Sequence, residues 1–492
     1  MYSRIRWFTK ARFFGTGVTR HVSSRASTDR NGLKEILRKI GPRRSVLSLL
    51  QDWVDSGHVV SSSELRLISN RLLRSNRYDL ALQIMEWMDT QNDVAYDPAL
   101  RLELIIKNHG LKDAEEYFEQ LLTSSTSLRV AKSAYLPLLR AYVKRKLVKE
   151  AEALMEKLNG LGFLVNPHPF NEMMKLYETT YQYDNVVMVI SMMKRNKIPR
   201  NVLSYNLWMN ACCEISGVAA VETVYKEMVG DKSVQVGWSS LCTLANVYIK
   251  AGFLDKANLV LESAEKTLNS RNRLGYFFLI TLYASLGNKE GVIRLWEASK
   301  SVCGRITCAN YICVLSSLVK LGDLAEAERV FDEWEAKCYN YDVRVSNVLL
   351  GAYARNGQIR KGEALHNRVL ERGGTPNYKT WEILMEGWVK CQSMEKAIDA
   401  MHQTFQLMKH CHWRPSQNII LAIGEYFEKE EKIDEANTFV RDLHRLGLAS
   451  LPVYRLLLRM HAHAQRPAFD IYEMMKLDKI PVDAEIFSEK DQ

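Results

Sequence analysis

A small or medium-sized residue returns at a nearly fixed interval through most of this chain. Ala151, Val186, Val221, Ala257, Val292, Ala327, Gly362 and Ala397 follow one another by 35, 35, 36, 35, 35, 35 and 35 residues, and Ala436 comes 39 later. A period between about 20 and 50 residues marks a solenoid, because one unit cannot bury its apolar face alone and must stack on its neighbours. A chain of 492 residues would otherwise be divided among several globular domains. A solenoid grows along one axis instead, and 47% hydrophobic residues are enough for a continuous core between units. Such a chain offers an elongated binding surface before it offers an active site.

Residues 238–272 show what one unit is. Leu241, Leu244, Ala245, Tyr248 and Ile249 lie at i, i+3, i+4, i+7 and i+8, one face of a helix. Ala251-Gly252 breaks that helix, with glycine as the left-handed stop. A second helix is expected from Leu254, with Ala257, Val260, Leu261 and Ala264 inward. Ala257 is small because the two helices of the hairpin approach closely there. The scheme returns from Val202, Tyr311 and Val343, earlier near Lys132 and Pro167, more loosely near Ser62 and Tyr96, and later near Tyr378, Gln417 and Leu451. No segment alternates with period two between hairpin turns, so strands are not expected.

The first 30 residues differ. They carry Arg4, Arg6, Lys10, Arg12, Arg20, Arg25 and Arg30 against the single acid Asp29, with many Ser and Thr and the bulky Trp7, Phe8, Phe13 and Phe14. An Arg- and Ser-rich, acid-poor stretch that can form an amphipathic helix describes an organellar transit peptide, with the mitochondrion as first choice and the chloroplast second. Seven bases less one acid is +6, so +10 − 6 = +4 remains on residues 31–492. That charge permits RNA binding without demanding it. No apolar run approaches the ~20 residues of a membrane span.

The 35-residue unit, the Tyr205-Asn206 and Ser346-Asn347 openings, the Ala251-Gly252 break and the ending Lys197-Ile198-Pro199-Arg200-Asn201 resemble pentatricopeptide repeats. The pattern covers roughly residues 60–485, and the segment Asn76 to Met88 with the leader resembles short P-class members from plant organelles. The resemblance implies an all-α, right-handed superhelical solenoid of about ten to twelve helix-turn-helix repeats. Its parts would be a mitochondrial transit peptide at 1–30, an N-terminal helical cap at 31–61, the repeat array at 62–485 and a tail at 486–492.

It further implies that one repeat reads one RNA base with its fifth and last residues. On this chain Asn171 then pairs with Asn201 and Asn347 with Asn377, combinations that resemble pyrimidine readers. Asn206 has the right type at position five but is matched by Gly237, and Asp342 has the right type at the last position but is matched by Ile312. The other pairs, such as Leu136/Asn166, Phe277/Thr307, Glu382/Ser416 and Leu421/Ser450, lack the groups for base contact. Asn is also a good helix cap. A helix-start role for Asn206 and Asn347, and a turn role for Asn201 and Asn377, therefore stand beside RNA contact. Replacing Asn347 and Asn377 together is expected to weaken binding of pyrimidine-containing RNA without changing helix content or melting.

Covalent chemistry is not expected. No Cys-x-x-Cys and no His-x-Glu occurs, which removes the zinc deaminase that ends some members of the family. Cys303, Cys308 and Cys313 have no standard zinc spacing, and His410-Cys411-His412 and His461-Ala462-His463 stand isolated. The pattern leaves no room in this sequence for a nuclease domain behind it. The expectation is a non-enzyme without cofactor, metal or small-molecule substrate. It would bind single-stranded organellar RNA in the mitochondrial matrix and act on transcript stability, processing or translation. The alternative is a structural or assembly component of the mitochondrial ribosome, touching ribosomal RNA and ribosomal proteins. A protein-only scaffold is the third reading.

Overall fold

The structure is a computed structural model that describes residues 46–56, 62–90, 97–123, 128–269, 273–408 and 413–481. The leader at 1–30 and the tail at 486–492 lie outside the described residues, and so does the expected cap at 31–61 apart from the stretch that holds the helix Val46–Asp55. Among the described residues there are 24 helices and no strand. The chain divides into two compact units between Ala211 and Cys212.

In the first unit the hairpins Ser62–Arg74/Tyr78–Thr90, Pro98–Asn108/Leu111–Thr123, Leu128–Arg145/Val148–Gly160 and Pro167–Thr179/Tyr183–Arg195 follow one another. The second unit runs from the hairpin Trp238–Lys250/Leu254–Glu265 to Leu451–His463/Phe469–Leu477. The stretch Val202–Gly230 is broken at Gly217, whose φ of 73° and ψ of −163° no helix can hold, so it too is helix, turn and helix. Within each unit the first helix of a hairpin packs on the first helix of the next, as Val343–Arg355 does on Tyr378–Lys390. The break expected at Ala251-Gly252 is present, with Gly252 at φ 81°.

The 35-residue register is a register of burial. Ala151, Val186, Val221, Ala257, Val292, Ala327 and Ala397 have no exposed surface, Ala436 is 1% exposed and Gly362 is buried. Each sits on the second helix of its hairpin. The same position is filled by Ala81 and Ala114 on the N-terminal side and by Ile471 on the C-terminal side, all buried, which the sequence reading had not extended to.

A recurrent polar clamp surrounds this position. The residue after the small one is often glutamate, and it accepts from an aromatic residue on the first helix of the next hairpin. Tyr142 Oη donates to Glu115 and Tyr177 Oη to Glu152, each at 2.8 Å. In the second unit Tyr248 donates to Glu222, Tyr353 to Glu328 and Trp388 Nε1 to Glu363, at 2.9, 2.7 and 2.6 Å. There the residue before the next small one adds a cation: Lys256, Lys361 and Lys396 reach the same three carboxylates at 3.0, 3.0 and 2.6 Å. The donors satisfy a carboxylate at a half-dry seam, where an unpaired charge would be costly.

Tyr353 and Lys361, in that order, hold the Glu328 carboxyl below its ordinary value of 4.5. Burial, helped by the Glu222 carboxylate, pushes the Tyr248 hydroxyl up to about 12. A carboxyl depressed in the folded state stabilises the fold above its unfolded value, and loses that contribution as pH falls through the folded value. Unfolding midpoints should therefore fall on acidification below about pH 4.5, and Glu328→Gln should flatten that part of the profile. At neutral pH the Ala327→Leu variant should lose roughly 1–3 kcal/mol in urea denaturation, because the larger side chain overpacks a fully buried position.

Candidate nucleic-acid interface

In eight repeats the last residue proves to be the N-cap of the next repeat's first helix. Asn166 accepts from the His168 N–H at 3.0 Å, Asn201 from Ser204 N–H at 3.0 Å and Asp342 from Arg344 N–H at 3.1 Å. Asn377 accepts from both Lys379 and Thr380 N–H at 3.0 Å. Thr307, Ser416, Ser450 and Gly237 hold the same position. Asn206 and Asn347, in contrast, lie inside the helices Val202–Gly230 and Val343–Arg355, so the helix-start role considered for them does not apply. Asn201 and Asn377 are caps at a helix start.

The structure brings both predicted Asn/Asn pairs together. Asn171 Nδ2 donates to Asn201 Oδ1 at 3.0 Å, and Asn347 Nδ2 to Asn377 Oδ1 at 3.3 Å. A third group, absent from the sequence reading, completes each pair. Ser204 Oγ donates to Asn171 Oδ1 at 2.7 Å, and Thr380 Oγ1 to Asn347 Oδ1 at 3.0 Å. Each hydroxyl also accepts from the backbone N–H of the capping asparagine, at 3.2 Å in both cases. Asn171 is only 1% exposed, its amide covered and bonded to Asn201, whereas Asn347 is half-buried.

The remaining candidates are not assembled in this way. The Asn206 Oδ1 atom is buried and has no hydrogen-bond partner. Asp342 is engaged by the Arg344 guanidinium, with contacts of 2.9 and 2.6 Å, which together with the backbone bond holds its carboxyl below the usual range. His461 is no ligand: its ring nitrogens face Asn437 Oδ1 at 3.0 Å and the Pro467 carbonyl at 2.9 Å. His410-Cys411-His412 lies outside the described residues. Burial pushes the Cys242 and Cys313 thiols up to about 12, so both stay protonated.

Positions five, nine and thirteen of a first helix are four apart and share one side. Position thirteen is an exposed cation in Lys144, Lys250, Lys320, Arg355, Lys390 and Lys429. Lys250 is paired with Glu214 at 2.7 Å. Position nine changes along the second unit, from Asn246, Thr281, Ser316 and Gly351 to the exposed acids Glu386 and Glu425. Glu382, at position five, is held by Lys379 at 2.5 Å. The rows of the later hairpins are thus less hospitable to phosphate.

Known families and proteins match this arrangement. The pentatricopeptide repeat domain matches residues 153–214, and the PPR repeat matches residues 133–163, 310–339 and 345–374. A pentatricopeptide repeat-containing protein of Arabidopsis thaliana is 80% identical over 96% of this chain and 98% of its own length. The chain belongs to the pentatricopeptide repeat family. Another Arabidopsis member, named as mitochondrial, is 30% identical over 90% of both chains. The Arabidopsis large ribosomal subunit protein mL101 is 32% identical over 84% of each. Among solved structures, the pentatricopeptide repeat protein PPR10 from maize aligns at a TM-score of 0.45 and 17% identity, covering 94% of this chain and 74% of that one.

The capping geometry corrects the expectation that Asn347 and Asn377 can be replaced together at no cost to stability. Asn377→Ala should lower the unfolding free energy by about 1 kcal/mol, and conversely Asn introduced at the bare N-cap Gly237 should raise it by a few tenths. A Cβ at Gly237 meets nothing within 4 Å, and its φ of −131° suits any residue. Urea denaturation of the two variants measures both changes.

Proposed function

We propose that this chain binds single-stranded RNA in the mitochondrion by non-covalent contact, and so influences the stability, processing or translation of organellar transcripts. The observation that carries this reading is the pair of asparagine networks, Asn171/Asn201 and Asn347/Asn377. Each joins position five of one repeat to the last position across 30 residues of sequence. The exposed cations that end the first helices suit phosphate contact, which positions RNA without reading its sequence. Family membership and relatives named as mitochondrial support the same reading.

Two base-reading pairs cannot specify a site alone, since each good pair discriminates by roughly 1–3 kcal/mol. Recognition is therefore shape-based and electrostatic over most of the array, with base discrimination at two places. Binding is the whole of the activity: no cofactor, metal or small-molecule substrate enters this reading.

A second reading, a component of the mitochondrial ribosome, is favoured by one finding, the 32% identity to the large ribosomal subunit protein over 84% of both chains. Sucrose gradients of mitochondrial lysate with and without mild RNase separate the two. Sedimentation with the large subunit that survives RNase favours the ribosomal role; a small RNase-sensitive complex favours transcript binding. Purified protein that binds no oligocytidine or oligouridine at low salt would leave a protein-only scaffold. Within the first reading, Asn347→Ala should weaken oligocytidine binding about two- to tenfold, the factor one net hydrogen bond supplies.

A further inference from the structure

The sequence distributes hydroxyls at the third position of the first helices in an uneven way. Where the fifth residue of one repeat is asparagine, the third residue of the next first helix is Ser or Thr: Asn171 is followed by Ser204, Asn206 by Ser240 and Asn347 by Thr380. Where the fifth residue is anything else, no hydroxyl stands there; Leu136 is followed by Pro169, Ile312 by Val345 and Leu421 by Val453. Capping alone does not require the hydroxyl, because Asp342 caps its helix with Val345 at the third position. The hydroxyl goes with the asparagine in sequence, but it is engaged only where the cap is also asparagine: opposite Gly237, Ser240 Oγ and Asn206 Oδ1 are both buried without a hydrogen-bond partner.

Donor and acceptor logic shows what it does. A backbone N–H only donates, so the Asn201 atom facing Ser204 N–H at 3.0 Å is Oδ1, and Asn201 Nδ2 points away from the helix. Asn171 must then turn Nδ2 toward that same oxygen, at 3.0 Å, which leaves its own Oδ1 for the Ser204 hydroxyl proton at 2.7 Å. Thr380 repeats every step. Its N–H meets Asn377 Oδ1 at 3.0 Å, Asn347 Nδ2 meets that oxygen at 3.3 Å, and the Thr380 hydroxyl lies 3.0 Å from Asn347 Oδ1 and 3.2 Å from Asn377 Oδ1, as the Ser204 hydroxyl lies 3.1 Å from Asn201 Oδ1.

We infer that Ser204 and Thr380 are positioning residues that lock each asparagine pair with the cap asparagine's amino group left for RNA, and thereby make it select a base edge rich in acceptors. The inference rests on the RNA-binding reading above. Cytosine offers adjacent acceptors at O2 and N3. Adenine places an amino donor beside N1, so donor meets donor. Without the hydroxyl the fifth-position Oδ1 loses its donor, the amide is held by the single Nδ2 bond to the cap oxygen, and the edge is less firmly fixed.

The test uses the full chain with short oligocytidine and oligoadenosine. Ser204→Ala and Thr380→Val are examined singly and together, with Ser204→Thr and Thr380→Ser as conservative controls, and unfolding midpoints are recorded for each. The ratio of affinities for the two RNAs should fall about fivefold in the double variant and return to the parent value in the controls. A folded variant that weakens both RNAs by one factor, or leaves the ratio unchanged, overturns the inference and assigns the hydroxyls to capping. If the double variant does not fold, each single variant is judged by the same ratio. A parent protein that binds neither RNA fails the RNA-binding reading itself, which is a different result.

Discussion

The two helices of a hairpin meet at one residue without bulk, and the carboxylate beside it is tied to the next hairpin by an aromatic hydroxyl or indole. Ala327 with Glu328 and Tyr353, and Gly362 with Glu363 and Trp388, are two instances. A large side chain at the small position would push the helices apart. The hydrogen bond beside it gives the approach a direction, which apolar packing alone cannot do. Because that contact repeats at one offset, the fifth residue of a first helix arrives opposite the N-cap of the next. The Asn171–Asn201 and Asn347–Asn377 bonds, 3.0 and 3.3 Å long, are consequences of the spacing on the far side of each hairpin.

That geometry gives the last residue of a repeat two tasks. As an N-cap it turns an oxygen toward backbone N–H groups that have no other partner. If it is asparagine, the amino group is left pointing outward as a by-product. If it is aspartate no donor remains, and at Asp342 the second oxygen is taken by Arg344. The residue types that cap well are also those that can read a base, so the cap requirement alone populates this column with Asn, Asp, Ser and Thr. Asn166, Thr307, Ser416 and Ser450 hold the cap position opposite Leu136, Phe277, Glu382 and Leu421, none of which can complete a reading pair.

The hairpins, their glycine breaks and the buried register were legible in the sequence because each follows from periodicity along one chain. Two features were not. The clamp is written there, since Tyr248 precedes Ala257 by nine residues as Tyr353 precedes Gly362, but its meaning depends on a glutamate in the preceding hairpin. The burial of Asn171 was hidden for the same reason, as it depends on Ser204, 33 residues away. Residue type likewise could not tell a cap from a helix interior for Asn206 and Asn347. Which position of the helix an asparagine occupies decides that, and cap preference is silent on it.

In the RNA-binding reading, the uneven rows of positions five, nine and thirteen set where contact is strongest. Asn347, Gly351 and Arg355 form a row with an amide, a gap and a cation. The next two rows, Glu382, Glu386, Lys390 and Leu421, Glu425, Lys429, put carboxylates where a phosphate chain would pass. A fixed exposed carboxylate repels phosphate over about a Debye length, some 8 Å at physiological salt, which is comparable to the spacing of stacked helices. An RNA lying along the first helices of the second unit would therefore be held up to the Asn347/Asn377 pair and lose contact beyond it. The hairpins that follow keep the same packing and the same buried register, so their stacking is intact while their surface chemistry differs.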